Sequence, residues 1–398
     1  MTTSELQMST VIPAAKRLGQ VKEYYFSRKL REIAQLRASG AEVLNLGIGS
    51  PDLPPHPAVI EQLHQTSALH DHHGYQSYQG LPALRDAFAD WYDRFFNVSL
   101  HAQTEVLPLI GSKEGIMHIS MAFLNPGDEV LVPDPGYPTY RSATELAGGK
   151  TRNYDLQAAN GWLPDLEALA QQDLSRVKIM WINYPHMPTG TAANRTFFEA
   201  LVRFATKHQI LVVNDNPYAF ILNDEPLSIH SIPGSRAVAL ELNSLSKAHN
   251  MAGWRVGALV GSADYLEIVL RFKSNMDSGM FKPLQLAAVT ALQLPASWYE
   301  AQNAIYAKRK EKATALLQSL GCEIAEGQVG MFVWAKVPDG VGDAYALSDQ
   351  ILAATHVFIT PGGIFGTAGE QYLRASLCSP ASVFEEAIER LTDFKFSA

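Results

Sequence analysis

A chain of 398 residues that is 47% hydrophobic is long enough for more than one packed unit and apolar enough to give each a core. Forty acidic against 32 basic residues leave a net charge of −8 without a basic block, which disfavours a nucleic-acid or anionic-membrane partner and points to a small molecule. Cys322 and Cys378 are the only cysteines, too few for a disulfide framework or a cysteine-ligated zinc site. Residues 1–19 hold no apolar export segment, so a cytoplasmic protein without a membrane span is expected.

Residues 21–38 (VKEYYFSRKLREIAQLRA) repeat apolar side chains at spacings of three and four, which predicts an amphipathic helix ending near Gly40. The stretch VLNLGIGSPDLPPHP is broken by Gly47, Gly49 and four prolines and sets a boundary near residue 53. Gly47-Ile-Gly49 lacks the third glycine and following helix of a dinucleotide fingerprint. His70-Asp-His-His73 has no second ligand cluster at matched spacing, so a solvated loop is expected there and no metal site.

Five short apolar or β-branched runs follow, at 106–110, 129–132, 179–182, 210–213 and 237–242. Segments with helical patterning, such as 114–124 and 197–208, lie between them, which predicts a parallel sheet covered by helices. Ligands of such sheets bind beyond the carboxyl ends of the strands, and those ends carry Gly111, Asp134, Asn183, Asp215 and Ser244. These five are expected to converge on one mouth. From 298 onward a helix to about 320 and the strands MFVWAKV and YLRASL predict a smaller α/β layer. The expected division is 1–53 as an N-terminal segment of the small domain, 54–295 as the large domain and 296–398 as the C-terminal small domain.

The chemistry concentrates in Ser244-Leu-Ser-Lys-Ala-His-Asn-Met-Ala-Gly-Trp-Arg255. A lysine just past a buried strand end is poised to form a Schiff base if desolvation and neighbouring positive charge lower its pKa. Arg255 with Ser244 and Ser246 offers a guanidinium fork and short donors suited to a phosphate. A phosphate beside an amine suggests a phosphorylated aldehyde. Asp215 can pair with a cationic ring nitrogen, and Tyr218 supplies a phenol. The strand-to-helix turn at Gly111-Ser-Lys113 presents free backbone N–H groups as the other half of a phosphate cradle. Tyr137 offers an aromatic plane on which a flat ring could stack.

Assembled, these parts resemble the class I/II aminotransferases of the fold-type I pyridoxal-phosphate enzymes, from Leu46-Gly-Ile-Gly-Ser-Pro-Asp52 to Tyr372-Leu-Arg-Ala-Ser-Leu377. The resemblance implies an α/β fold with a large domain built on a mostly parallel seven-stranded sheet, and a smaller α/β domain. It implies pyridoxal 5'-phosphate as cofactor, amino acid and 2-oxo acid as substrates, and ping-pong transfer of the amino group. By it, Lys247 is the Schiff-base lysine, Asp215 the partner of the ring nitrogen, Tyr218 the donor to the phenolic oxygen and Tyr137 the stacked ring. Gly111, Ser112, Lys113, Ser244, Ser246 and Arg255 match phosphate-binding positions. Tyr75 matches a tyrosine that reaches the phosphate from the second subunit of a homodimer. Arg374 matches the clamp on the substrate α-carboxylate, with Gly49 assisting through its backbone.

One departure stands out: in Asn183-Tyr-Pro-His-Met-Pro-Thr-Gly190, Met187 occupies the place of an asparagine that donates to the phenolic oxygen, and a thioether cannot donate. Asn183 is retained among the cofactor-binding residues although it is not the matching position, and His186 could compensate. Lys247 would also be the general base for the Cα proton. A β-eliminating carbon–sulfur lyase uses the same lysine, aspartate and cradle and stands as the alternative; a non-catalytic binding protein is a further one. Several stretches are most similar to the LL-diaminopimelate aminotransferase-like branch, whose members read a second polar head, and Tyr24, Tyr25 and Lys273 are its possible readers here.

Overall fold

The computed structural model describes residues 12–20 and 25–396. The apolar periodicity of the N-terminal segment becomes helix α1 (Tyr25–Ala38), which buries Phe26, Lys29 and Ile33. Tyr24 and the first turn expected of that helix lie outside the described residues. After Gly40 the chain forms a two-residue strand, β1 (Leu44–Asn45), and then passes through the glycine- and proline-rich stretch toward helices α2 (Pro57–Ser67) and α3 (Pro82–Phe96).

The large sheet comprises β2 (Val106–Leu109), β3 (Glu129–Asp134), β4 (Lys150–Asp155), β5 (Val177–Ile182), β6 (Leu211–Asp215), β7 (Ala239–Ser244) and β8 (Gly257–Gly261), in the order β2-β8-β7-β6-β5-β3-β4. Only β8 runs against its neighbours, β2 and β7; the remaining pairs are parallel. The five apolar runs became β2, β3, β5, β6 and β7; four of them are interior strands, and β2, although at the edge of the sheet, is buried along its whole length, because both faces of a helix-covered sheet are buried. The two strands that sequence reading did not anticipate have weaker signals. β4 is a polar edge strand with one buried residue, and β8 is a five-residue stretch opened and closed by glycine. Helices α4 (Ser112–Phe123), α5 (Pro138–Leu146), α6 (Leu166–Ala170), α7 (Arg195–His208), α8 (Ala263–Lys273) and α9 (Lys282–Leu292) cover it. α7 starts where Asn194 accepts a hydrogen bond from the Phe197 N–H and stops at Gln209 in the left-handed region, φ 56°.

The long helix α10 (Ala296–Ser319) leads into a four-stranded antiparallel sheet. Its strands are β9 (Glu323–Ile324), β10 (Phe332–Lys336), β12 (Thr360–Pro361) and β13 (Tyr372–Ser376), with β11 (Val357–Phe358) pairing elsewhere. Helices α11 (Ala344–Thr355) and α12 (Ala381–Leu391) complete the layer. β1 pairs in parallel with β11, Leu44 opposite Val357. Helix α1 is fastened to the same layer: Lys29 Nζ lies 2.9 Å from Asp349 Oδ1 on α11, and the Tyr25 ring meets the Tyr345 ring edge-on at 5.9 Å. Among the described residues no helix is long and apolar enough to cross a membrane.

Arg309 of α10, 4% exposed, grips both oxygens of Asp52 at 2.6 and 2.9 Å and donates to the Leu377 carbonyl. Asp52 thereby pins the loop that carries Gly47 and Gly49. Asp52→Ala should lower the free energy of unfolding by about 2–3 kcal/mol, because a buried guanidinium loses its charged partner. A shift of the urea midpoint at unchanged slope checks it.

Candidate active site

The carboxyl ends of the central strands open into a cavity of about 480 Å³ roofed by α1, β10 and the turn before β13. Lys113, Asp215, Lys247, Arg255 and Arg374 are its charged lining residues.

At one end, α4 begins at Gly111 with no side-chain cap, so the N–H groups of its first turn are unclaimed by a capping side chain. Gly111 has φ +80°, and a Cβ there would lie 2.1 Å from Arg255 Nη2; the guanidinium is laid directly on the backbone, which only glycine permits. Arg255, itself at φ 58°, donates to the Ala252 carbonyl at 2.8 Å and to Ser246 Oγ at 3.3 Å. The Ser246 N–H donates to Ser244 Oγ at 3.1 Å. Backbone N–H groups, two hydroxyls and a guanidinium thus face one volume, the donor set of a phosphate site.

At the floor, Asp215 ends β6 and is 5% exposed. Its Oδ2 accepts from the Tyr140 hydroxyl at 2.8 Å, whereas Oδ1 is buried with no hydrogen-bond partner among the described residues. Burial pushes the carboxyl up to about 6, against the Tyr140 hydrogen bond and the Lys247 charge, which hold it down. Asn183 Nδ2 donates to the Asp215 carbonyl and Asn183 Oδ1 accepts from the Met187 N–H. Asn183 thus fixes the floor through backbone groups while also lining the cavity. Tyr218 is buried, and desolvation raises its phenol above the ordinary value, keeping it a donor. Tyr137 faces the cavity and meets the Tyr140 ring edge-on at 5.6 Å.

Lys247 Nζ donates to the Gly49 carbonyl at 2.5 Å. Desolvation lowers its pKa, opposed by Cys378 and Asp215 and reinforced by the Arg374 and Arg255 charges, so the amine is drawn toward its nucleophilic form. Gly49 is needed for this approach, since a Cβ there would fall 2.5 Å from Phe332 Cζ. Arg374, 3% exposed on β13, donates to the Gly47 carbonyl at 2.6 Å and lies 3.3 Å from Met187 Sδ. Its guanidinium stands 4.0 Å from the centre of the Phe332 ring, 4.6 Å from Phe365 and 5.6 Å from Phe26.

Of the residues singled out in the sequence, Ser112, Lys113, Tyr137, Asn183, Asp215, Tyr218, Ser244, Ser246, Lys247, Arg255, Arg374 and Gly49 line this cavity, with Gly111 beneath Arg255. Tyr75 does not: it is 94% exposed, on a loop outside the cavity. Asp134 does not join the mouth either. Its carboxylate is spent on the Thr367 and Ala368 N–H groups, the Thr367 hydroxyl and Asn153, so it ties the two layers together. His186 bonds Thr189 Oγ1 and is not in the lining; burial pushes its imidazole down to about 3. Within the expected solvated loop, His72 is buried and its Nδ1 lies 3.0 Å from the Thr66 carbonyl, a packing role. Tyr25 and Lys273 are likewise elsewhere. Lys273 is 1% exposed and bonded to Asp277 and the Tyr78 carbonyl. Sequence reading missed Tyr140, whose position three residues after Tyr137 on the first turn of α5 was a usable signal. It also missed Phe26, Phe332 and Phe365, which as apolar side chains in apolar runs gave none.

Residues 41–391 match the model of the family described as aminotransferase class I and II. The LL-diaminopimelate aminotransferase of Desulforudis audaxviator is 43% identical over 379 residues, 95% of this chain and 96% of that protein. That of Dehalococcoides mccartyi strain CBDB1 is 41% identical over 386 residues, 96% and 99%. Among solved structures, apo-BacF from Bacillus subtilis superposes with a TM-score of 0.92 at 34% identity, covering 96% of this chain and 98% of that one. A probable N-succinyldiaminopimelate aminotransferase from Thermus thermophilus gives 0.87 at 29%, covering 92% and 99%. The lysine, aspartate and arginine that meet in this cavity are thus carried by a chain that, over nearly its whole length, belongs to the aminotransferase class I and II family.

Proposed function

We propose that the chain is a pyridoxal 5'-phosphate-dependent aminotransferase that carries an amino group from an amino acid to a 2-oxo acid by a ping-pong route. The observation that carries this reading is Asp215 Oδ1. A buried carboxylate oxygen with no donor among the described residues is costly unless something with an N–H completes it, and a protonated pyridine nitrogen would do so. The amine of Lys247 and the phosphate-type donor set share the cavity with it, so the residues present fit the cofactor. When bound, pyridoxal 5'-phosphate supplies an aldehyde carbon for the amine and a ring that draws electrons from the substrate Cα–H bond.

The chain's own groups divide the remaining work. Ser112, Lys113, Ser244, Ser246 and Arg255, with the Gly111 turn, would hold the phosphate, and Tyr137 would cover the ring face. Tyr218 would donate to the phenolic oxygen, unassisted by Met187. Tyr140 holds Asp215 in place through the other carboxylate oxygen. Lys247 would anchor the aldehyde and, once released, take the proton from Cα, its lowered pKa suiting a base. Arg374 would receive the α-carboxylate as a desolvated fork, with Gly49 beside it. Carbon–sulfur β-elimination would use the same groups, but the matched family and relatives are aminotransferases.

We also infer a homodimer. Tyr75, Tyr78, Met276 and Phe281 are exposed apolar side chains on adjoining segments, joined by the bond from Lys273 to the Tyr78 carbonyl and the contact of His73 with Phe281. Such a patch marks an interface, and Tyr75 would cross it to the partner's phosphate. Residues 1–53 and 296–398 would form one domain against 54–295, as the pairing of β1 with β11 supports. Two buried, unpaired cysteines suit a cytoplasmic setting.

Lys247→Ala should abolish transamination while the protein still takes up cofactor; turnover by that variant, followed by the absorption of the cofactor and release of oxo acid, would remove Lys247 from its role. Light scattering should give the mass of two chains, and Tyr75→Phe should release cofactor about tenfold more readily; a monomer that holds cofactor undiminished would refute the shared site. The cofactor-free protein should lose stability as pH rises. Asp215 has a folded-state pKa near 6 against an ordinary 3.8, so the folded chain keeps a proton that the unfolded chain has released. That contribution, about 3 kcal/mol, is complete below the ordinary value and lost on passing upward through 6. Melting temperatures of wild type against Asp215→Asn between pH 4 and 8 test it, the variant lacking this component.

A further inference from the structure

Resting on the reading of Arg374 as the clamp on the α-carboxylate, we propose that Asp134 is a positioning residue for substrate binding. It holds the 365–368 turn so that the Phe365 ring stays on the Arg374 guanidinium, and it thereby sets the affinity for the carboxylate of every amino donor without entering the proton transfer.

Asp134 ends β3 and is 3% exposed. Its Oδ2 accepts from the Thr367 N–H at 3.2 Å, the Thr367 hydroxyl at 3.1 Å and Asn153 Nδ2 at 3.0 Å. Its Oδ1 accepts from the Ala368 N–H at 3.0 Å. Two residues on, the Gly136 N–H donates to the Phe365 carbonyl at 2.8 Å. The turn comes so close that a Cβ on Gly366, whose φ is +145°, would fall 2.0 Å from Asp134 Oδ1; only glycine admits the carboxylate there. From the other side the turn rests on β10, where a Cβ on Gly362 would meet Trp334 Cη2 at 2.4 Å. It is thus clasped between the two layers.

What the turn carries is the Phe365 ring, 4.6 Å from the Arg374 guanidinium. Phe332, at 4.0 Å, stands on the strand paired with that of Arg374, so its place is set within the small layer. The place of Phe365 is set across the layers by Asp134 and Gly136. A guanidinium walled by rings holds less water, so its pull on a carboxylate is less screened and its planar fork keeps one orientation. Release of the turn would rehydrate the cation and loosen the fork. The acid at 134 suits this work because each of its four partners is a donor. An amide of the same shape would set its N–H groups against the Ala368 N–H or against the Thr367 N–H and Asn153. A competing role for Asp134 is support of Tyr137, three residues on and in the cavity lining. The two roles differ in what is lost: affinity for the donor in one, affinity for the cofactor in the other.

The test uses the purified full-length holoenzyme. Single-turnover conversion of the bound cofactor, followed by absorption at increasing alanine, leucine, glutamate or LL-diaminopimelate, gives a half-saturating concentration and a limiting rate for each donor. Asp134→Asn should raise the half-saturating concentration about fivefold for every donor that the wild type converts, by the same factor whatever its side chain, with the limiting rate and the cofactor affinity within about twofold. A loss of limiting rate or of cofactor affinity at unchanged half-saturation would overturn the proposal. Thr367→Ala, at an exposed position, removes one of the four bonds without burdening the fold and should move the same constant about twofold; an unchanged constant would count against the proposal. Phe365→Leu should raise it as well, and adding Asp134→Asn to that variant should change little. Factors that multiply would show that Asp134 does not act through Phe365. No conversion of any donor by the wild type would overturn the aminotransferase reading, and this proposal with it.

Discussion

A carboxylate buried at the end of a parallel strand, with one oxygen bonded and the other without a hydrogen-bond partner among the described residues, is the constraint around which the cavity is arranged. Asp215 stays in place because Tyr140 grips one oxygen and Asn183 its backbone carbonyl. Tyr140 in turn is stacked on Trp181 of the neighbouring strand, 5.0 Å between rings and 5° from parallel. The strain of holding an acid in an apolar floor is visible in its raised pKa. Perturbed carboxyls of this kind concentrate in functional clefts. The sheet supplies rigidity, and the strand ends supply the remaining donors.

A second desolvated charge balances the first. Arg374 is buried under three phenyl rings, with carbonyl and thioether contacts in reach. Its delocalised guanidinium tolerates such surroundings because it is weakly hydrated and its planar faces stack on rings. Lys247 shares the cavity with this cation and with the Asp215 carboxylate; burial lowers its pKa most, and both charges act on it, in opposite directions. The electrostatics of the cavity are therefore shared among ionisable groups on separate elements: Asp215 on β6, Arg374 on β13, Lys247 after β7, Arg255 before β8 and Lys113 on α4. Asp52 and Arg309 hold the loop between them in register.

Much of this was legible because buried parallel strands announce themselves as apolar runs and their polar terminators point to the mouth. Four of the five terminators did converge. Asp134 did not, since β3 lies beside the edge strand β4 and its carboxylate meets the 367–368 turn of the other layer, a contact that local pattern cannot contain. The same limit hid the aromatic enclosure of Arg374. Phe26 is separated from Phe332 and Phe365 by more than 300 residues of chain, and nothing in an apolar side chain announces that its neighbour will be a cation. The strands β4 and β8 were missed for a simpler reason: one is polar at a sheet edge, and the other is short and glycine-bounded. Lys273 illustrates the converse error, a charged residue read as available that turns out to be an internal ion pair.

Helix α1 reaches the cavity with Phe26 and Leu30, yet its ion pair and ring contact are made with α11, through Lys29–Asp349 and Tyr25–Tyr345. Lys247 and Asp215 belong to the large sheet. Any rotation of the small layer relative to that sheet consequently carries Phe26, Leu30 and Arg374 together, toward or away from the amine. If Arg374 receives a donor's carboxylate as proposed, hold on that carboxylate and enclosure by α1 would be a single mechanical coordinate.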